Sequence, residues 1–266
     1  MQVSPFTRMM AIIVLILLPA PLVVVIGASF SPDIVMRFPP DGLSLRWYRA
    51  ILDDPRWLST FGTSVAIAAL SAGLTTFLSL LAAVALDGAP AKVRSFCETA
   101  ILAPLLFPHA AIGIAFIYWL QIFWLNGTFI GVLIAHLILC VPFAYRPVAV
   151  SLRQLDRSTL EAASMLGASP VQMFFRVILP LMRPGIATAL LFSFIISFDE
   201  VTVSMFLVGP FLTTLPVSIY SYLHDSSDPV VAAISSLLIV LTAVLVLLLD
   251  RFAGLQFFVS SNEDHK

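Results

Sequence analysis

Two adjacent carboxylates, Asp199 and Glu200, interrupt a stretch over residues 185–208 that is otherwise apolar or hydroxyl-bearing. If this stretch crosses a bilayer, a charge near its centre costs at least about 2.5–3.5 kcal/mol, so the acid faces a cavity, pairs or is neutral. One interpretation is that one acid lines a path for a cationic solute. The alternative is that it pairs with a partner subunit or accepts hydrogen bonds from hydroxyl side chains of Ser193, Ser197, Thr202 or Ser204.

The two acids cannot both face one narrow channel from a regular helix, because adjacent positions lie about 100° apart at roughly 3.6 residues per turn. An unwound segment at Asp199 and Glu200 removes this restriction. A regular helix therefore offers one carboxylate to a channel, and a broken helix offers both.

The histidines and cysteines show no spacing typical of a metal site. His109 and His136 lie within apolar segments, so we expect structural or pore-lining hydrogen bonds from their rings. Cys97 and Cys140 are expected to be small buried hydrophobic residues, with a disulfide or a metal site as the alternative.

Residues 146–184 form the largest polar segment between the apolar runs of the chain. This segment contains residues that are typical of the start of a helix. Ser158 and Glu161 have the spacing of a capping box, in which each side chain accepts from the backbone amide of the other residue. Gly167 is placed to end this helix in a left-handed conformation.

A second helix is predicted to begin at Ser169-Pro170-Val171-Gln172, with a cap, a proline at the first position and a Gln at the third. It is expected to close at Leu179-Pro180. The apolar side chains of this helical hairpin either pack onto the ends of the protein's own helices or dock into a partner. They include Leu160, Met165, Leu166, Phe174 and Phe175.

The composition requires that lipid solvates the elements that carry these residues. Apolar residues make up 60% of the 266 residues and charged residues 11%, against about 45–50% and about 25% in soluble domains. A helix needs about 20 apolar residues to cross the bilayer. Six runs qualify, and we predict an all-α polytopic membrane protein with spans at 9–28, 61–86, 99–125, 127–145, 185–208 and 230–249.

The basic residues predict the orientation, because cytoplasmic segments carry an excess of Lys and Arg. With the N-terminus in the cytoplasm, ten of the 14 basic residues lie inside, and four lie outside: Arg37, Arg46, Arg49 and Arg56. Both termini are then cytoplasmic, and residues 146–184 form a cytoplasmic loop. The outer loop over residues 29–60 carries Trp47, Tyr48 and Trp57, which are expected at the membrane interface.

The polar loop resembles the EAA loop of permease subunits of ATP-binding cassette importers. The matching residues are Glu161, Ala162 and Ala163, then Gly167 after three intervening residues, and Val177-Ile178-Leu179-Pro180 after nine more intervening residues. The family usually has Ile where Val177 stands, which removes no polar contact.

The resemblance implies a type I importer permease fold, a single permease domain over residues 1–266, and a coupling helix between the fourth and fifth spans. Glu161, Ala162, Ala163 and Gly167 would dock onto a separate ATPase subunit, and Leu179 and Pro180 complete the motif. The chain has no phosphate-binding loop of its own. The chain itself would be non-catalytic and bind no cofactor, and the partner ATPase would bind ATP and Mg²⁺.

The stretch Ser197-Phe198-Asp199-Glu200-Val201, with Gly209-Pro210 and residues 215–220, resembles permeases of the spermidine/putrescine type. This implies a bacterial inner membrane protein that works with a second permease, ATPase subunits and an external solute-binding protein. Importers of opine-like compounds and aminophosphonates share the pattern and remain alternatives for the solute. Two other classes are an ion-coupled secondary transporter that uses one of the acids, and a membrane-embedded enzyme.

Overall fold

The computed structural model describes residues 4–226 and 228–253, without the side chains of residues 248–253. Every regular element in this part of the chain is helical. A 3₁₀ turn is present over Ala103–Leu106, and a π-helical stretch over Phe174–Ile178. In chain order the helices are α1 (Pro5–Leu17), α2 (Ala20–Ala28), α3 (Arg46–Asp53), α4 (Pro55–Asp87), α5 (Ala91–Leu102), α6 (His109–Ile122), α7 (Phe129–Arg153), α8 (Arg157–Met165), α9 (Pro170–Met173), α10 (Leu179–Leu181), α11 (Arg183–Phe198), α12 (Thr202–Leu207), α13 (Leu215–Asp225) and α14 (Val230–Ala253).

Four helical segments are long and apolar enough to cross a membrane without a sharp bend. They are Pro5–Ala28, Pro55–Asp87, Phe129–Arg153 and Val230–Leu247. Each contains one of the predicted spans or most of it. The predicted cytoplasmic position of the tail at residues 254–266 lies outside the described residues.

The third span, predicted over 99–125, consists of two helical segments with a sharp bend between them. It begins at Ala91, and its two halves, Ala91–Leu106 and His109–Ile122, are bent by 104°. The break is at Phe107, whose backbone is extended with φ −101° and ψ 141°. The cause is Pro108, because a proline disfavours the helical conformation of the residue before it.

The fifth span also departs from the predicted continuous helix over 185–208. A bend of 69° separates Pro170–Leu181 from Arg183–Phe198, and Pro184 at the start of α11 has no amide hydrogen to bond to the preceding turn. The helix ends again at Phe198, before α12. Counting each bent pair as one crossing gives the six predicted spans.

The chain divides into two compact units. The first combines residues 1–59 with 218–244, and buried aromatic side chains hold its segment after α2. The Trp47 indole donates to the Ser31 carbonyl at 2.8 Å, and the Trp57 ring packs edge-on against Tyr222. Both tryptophans are buried in protein, and their expected position at the membrane interface stays a prediction.

Two polar contacts complete this unit. The Tyr48 hydroxyl lies 2.7 Å from the hydroxyls of both Ser29 and Ser236. The Arg56 guanidinium donates to both carboxylate oxygens of Asp54, and these hydrogen bonds hold the pKa of Asp54 below its usual range.

The second unit combines residues 60–217 with 245–266, and α7 is its central element. α7 packs against α11, and α6 packs against α12. The approach of α11 to α7 is close enough to require glycine at position 185, where a Cβ would lie 2.9 Å from the Pro147 carbonyl oxygen and overlap Ser151. The core lies around Leu139 and Val203 at one end of α7 and around Val148 at the other.

Candidate functional site

The predicted coupling helix is present as α8, but a different residue caps it. The Asp156 side chain accepts from the Ser158 amide at 2.9 Å and from the Ser158 hydroxyl at 2.6 Å. These hydrogen bonds hold the pKa of Asp156 below its usual range. The predicted capping box of Ser158 with Glu161 is therefore wrong, because the N-cap residue is Asp156 and Ser158 is already the second residue of the helix.

The turn after α8 has the predicted left-handed glycine. Gly167 has φ +81°, and the amide of Ala168 donates to the Ala163 carbonyl at 3.1 Å. No side chain or other backbone lies within 4 Å of the place where a Cβ on Gly167 would stand. The requirement for glycine here is thus one of backbone conformation, not of space.

The predicted restart of the helix at Ser169 is confirmed. The Ser169 amide donates to the Gln172 side chain at 2.9 Å, and the Gln172 amide donates to the Ser169 hydroxyl at 3.3 Å. The predicted end at Leu179-Pro180 is confirmed to within one residue, since α10 ends at Leu181. The π-helical stretch before Pro180 widens the turn and accommodates a residue that has no amide hydrogen to donate.

The apolar side chains of the hairpin divide between the two predicted roles. Phe174 packs against the core around Val148, toward the C-terminal end of α7. Met165 and Leu166 are each 89% exposed, and Phe175 is 61% exposed. The protein's own core therefore buries only part of this apolar surface.

The residues assigned to ATPase docking lie on the open side of this hairpin. Glu161, Ala162 and Gly167 are exposed, and Ala163 is half-buried. Leu179 and Pro180, at the other end of the motif, are half-buried in α10 and lie on a separate element.

The two acids of the fifth span lie in a break of the helix. α11 ends at Phe198 and α12 begins at Thr202, so Asp199 and Glu200 are outside regular helix. In this unwound segment, the two adjacent side chains are not held about 100° apart around a helix axis, as they would be in a regular helix.

Glu200 is buried, and its carboxylate is fully occupied by the protein. One oxygen accepts from the Val203 amide at 2.7 Å. The other lies 3.0 Å from Nδ1 of His109, at the start of α6. Glu200 thus caps α12 and ties it to the break in the third span, because His109 follows Pro108 directly.

Asp199 has the opposite environment. Its side chain is exposed and makes no hydrogen bond or ion pair within residues 4–226 and 228–253. Of the two adjacent carboxylates, Asp199 is the one that is open to a solute.

The buried His136, for which the sequence predicts a structural or pore-lining hydrogen bond, joins the two sides of the break. Nδ1 of His136, on α7, lies 2.8 Å from the Ser197 hydroxyl before the break. Nε2 lies 2.9 Å from the Ser204 hydroxyl after it. The alternative in which the hydroxyls of Ser197 and Ser204 bond to an acid is not what the structure shows, since both hydroxyls contact His136 and Glu200 contacts the Val203 amide and His109. The sequence signal was a serine on each side of the acid pair.

The described residues contain no group of three His, Cys, Asp or Glu side chains that could hold a metal ion. Cys97 and Cys140 are free thiols, and Cys140 is fully buried. His109 of the third span and His136 of the fourth make polar contacts within the protein, as the sequence predicts.

Comparison with known proteins agrees with this architecture. Residues 76–256 match the family model described as a binding-protein-dependent transport system inner membrane component. The chain is 30% identical to the spermidine/putrescine transport system permease protein PotC of Escherichia coli (strain K12), over 85% of this chain and 86% of the relative. It is also 30% identical to the putrescine transport system permease protein PotI of the same strain, over 89% and 86%.

A solved structure has the same fold. It is a chain of a bacterial ABC transporter involved in the import of the acidic polysaccharide alginate, with a TM-score of 0.72, 14% identity and 92% of both chains covered. The family model spans more than half of the chain, and the relatives align along most of it. The chain therefore belongs to the family of inner membrane components of binding-protein-dependent transport systems, as a multi-pass permease subunit.

Proposed function

We propose that this chain is the membrane subunit of an ATP-driven importer for a small cationic solute of the polyamine class. The observation that carries the proposal is the alignment with two E. coli polyamine permeases along most of the chain. The open carboxylate of Asp199 beside an occupied Glu200 supports a cationic solute. The chain lies in the inner membrane with both termini in the cytoplasm.

The proposed complex contains a second homologous permease, two ATPase subunits and an external solute-binding protein. The ATPase subunits bind ATP and Mg²⁺, and this chain is non-catalytic. Its α8 seats in a cleft of an ATPase, where the exposed Met165 and Leu166 become buried and Glu161 meets a basic residue. Exposed apolar anchors on a short helix are typical of docking into a groove.

The coupling role is tested at Gly167. A β-branched side chain in the left-handed region costs roughly 1–2 kcal/mol, whereas Asn tolerates it better. We expect Gly167→Val to lower solute uptake about fivefold to thirtyfold at unchanged amounts of the chain in the membrane, and Gly167→Asn to stay near wild type. The matched control is Gly88→Val, because Gly88 also has open space but an ordinary φ.

Uptake of labelled putrescine and spermidine would be measured in cells that lack other polyamine importers, together with co-purification of the ATPase. If Gly167→Val imports the solute at the wild-type rate, the coupling role of this turn is wrong. Uptake that persists after deletion of the ATPase would instead favour an ion-coupled secondary transporter.

The pathway role is tested at the adjacent acids. Asp199→Asn removes a charge without disturbing a contact of the protein, so we expect lower uptake and normal stability. Asp199→Glu keeps the charge and is the control. Glu200→Gln removes the negative charge from the side chain that contacts His109 and the Val203 amide, and it is expected to lower stability as well as uptake. Wild-type uptake by Asp199→Asn would exclude an essential charge at this position.

The solute class is tested by competition. Unlabelled spermidine should suppress uptake of labelled putrescine, whereas an aminophosphonate or an opine-like compound should not. The reverse result would assign the importer to one of those solutes and would leave the ATPase-coupling role intact.

A further inference from the structure

A charged cavity lies where the C-terminal ends of α4 and α7 meet α5 and the start of α8. Its volume is about 410 Å³, and three leucines complete its wall. Because α8 is the helix assigned to the ATPase, the cavity lies at the root of the coupling helix. The charged residues that line it are Asp87, Arg94, Glu98, Arg153 and Arg157.

Two ion pairs cross this cavity and join different elements. Glu98 of α5 pairs with Arg153 in the last turn of α7, and the Tyr145 hydroxyl donates to the same carboxylate at 3.1 Å. Asp87, the last residue of α4, lies 3.9 Å from the guanidinium of Arg157, the first residue of α8.

The two pairs differ in how firmly they are held. The Glu98 side chain is 26% exposed and has two donors, one of which is a buried tyrosine. Asp87 and Arg157 are 40% and 81% exposed, and their separation is at the limit of direct contact. Exposed pairs contribute little to stability and exchange easily with water. The Asp87–Arg157 contact is therefore the weaker one.

The packing around the two ion pairs differs between the end of α7 and α8. Leu152 and Leu155, on either side of Arg153, pack against the same core as Phe174 of the hairpin. The end of α7 is thus fixed to the body of its unit. α8 begins two residues after Leu155 and carries exposed side chains at its far end.

We propose that the two ion pairs link the coupling helix to the spans as a fixed joint and a breakable contact. The Glu98–Arg153 pair holds α5 to the end of α7 throughout the transport cycle. The Asp87–Arg157 contact opens and closes as α8 moves, and it passes the displacement to α4. This inference rests on the proposed coupling function of α8.

The fixed joint is tested by charge exchange in the full complex, reconstituted in proteoliposomes with its binding protein. We expect Glu98→Arg and Arg153→Glu each to lower solute imported per ATP hydrolysed by roughly tenfold. The exchanged double variant should recover to within about twofold, because opposite charges again face each other. Arg146→Glu is the control, since exposed Arg146 on α7 makes no ion pair among the described residues.

The breakable contact is tested with a reducible bis-methanethiosulfonate linker in a Cys97→Ser background. Linking Asp87→Cys to Arg157→Cys should block uptake at least about tenfold, and reduction should restore it. Linking Glu98→Cys to Arg153→Cys should leave uptake unchanged relative to the same unlinked variant, because that joint never opens.

Each failure points to a different idea. Normal uptake with the Asp87–Arg157 positions linked would overturn the breakable contact. An exchanged double variant that is as defective as the single variants would overturn the fixed joint. If the wild-type complex imports solute without hydrolysing ATP, the proposed function itself is wrong, and the linkage falls with it.

Discussion

Replacing His136 by Leu tests whether the buried hydrogen bonds of His136 with Ser197 and Ser204 stabilise the break in the fifth span. Leu has a volume similar to that of His but no nitrogen atoms, so the change removes the hydrogen bonds to Ser197 and Ser204 and leaves little cavity. All three side chains are buried, with His136 only 1% exposed. Their lost hydrogen bonds are therefore not replaced by water.

The expected magnitude follows from the two bonds. A hydrogen bond between side chains in a membrane protein contributes about 0.6 kcal/mol on average and at most about 1.7 kcal/mol. His136→Leu should therefore cost roughly 1–3 kcal/mol. Ser197 lies in the last turns of α11 and can bond to a carbonyl four residues back, which limits its share. Ser204 follows the break, so its bond to His136 should carry the larger share.

The assay is a double-mutant cycle of His136→Leu with Ser204→Ala, read as reversible unfolding in mixed micelles. If the two groups stabilise each other, the double variant should be hardly less stable than His136→Leu alone. If the losses in free energy of unfolding of the two single variants simply add in the double variant, His136 and Ser204 do not stabilise each other. Uptake should fall in parallel, because Asp199 depends on the geometry of the break.

Further predictions concern packing and polar contacts elsewhere. Gly185→Ala should destabilise the chain by about 1–3 kcal/mol through overlap with Ser151 on α7, whereas Gly73→Ala, with open space in α4, should be neutral or slightly stabilising. Thermal unfolding of the two variants would contradict this if their order were reversed. Tyr48→Phe should cost about 1 kcal/mol, since its hydroxyl contacts two serines including Ser29. No change in unfolding with Tyr48→Phe would mean that these contacts contribute nothing net.

The acid pair shows how far sequence reasoning reaches. The sequence places Asp199 and Glu200 in an apolar stretch and indicates that a helix must unwind there to present both. It cannot say which acid is occupied. That was decided by His109, which the bend at Pro108 brings 3.0 Å from Glu200.

The polar hairpin of α8 and α9 was more predictable, because its signals are local. The left-handed Gly167 and the cap at Ser169 involve residues within a few positions of each other, and both are present. The start of α8 was predicted wrongly for an equally local reason. Asp156 and Ser158 both have side chains that can cap a helix, and the carboxylate is the stronger acceptor.

The sequence by itself determined six apolar segments, an all-helical fold and the polar hairpin between the fourth and fifth spans. These follow from transfer of side chains into lipid and from backbone hydrogen bonding within each segment. Only the tertiary structure decided that His136 joins serines 61 and 68 positions away. It also decided that the Glu200 carboxylate is buried with partners in the protein, while the Asp199 carboxylate is exposed. Such pairings depend on how separate helices pack, and that packing is not encoded in the local pattern of either partner.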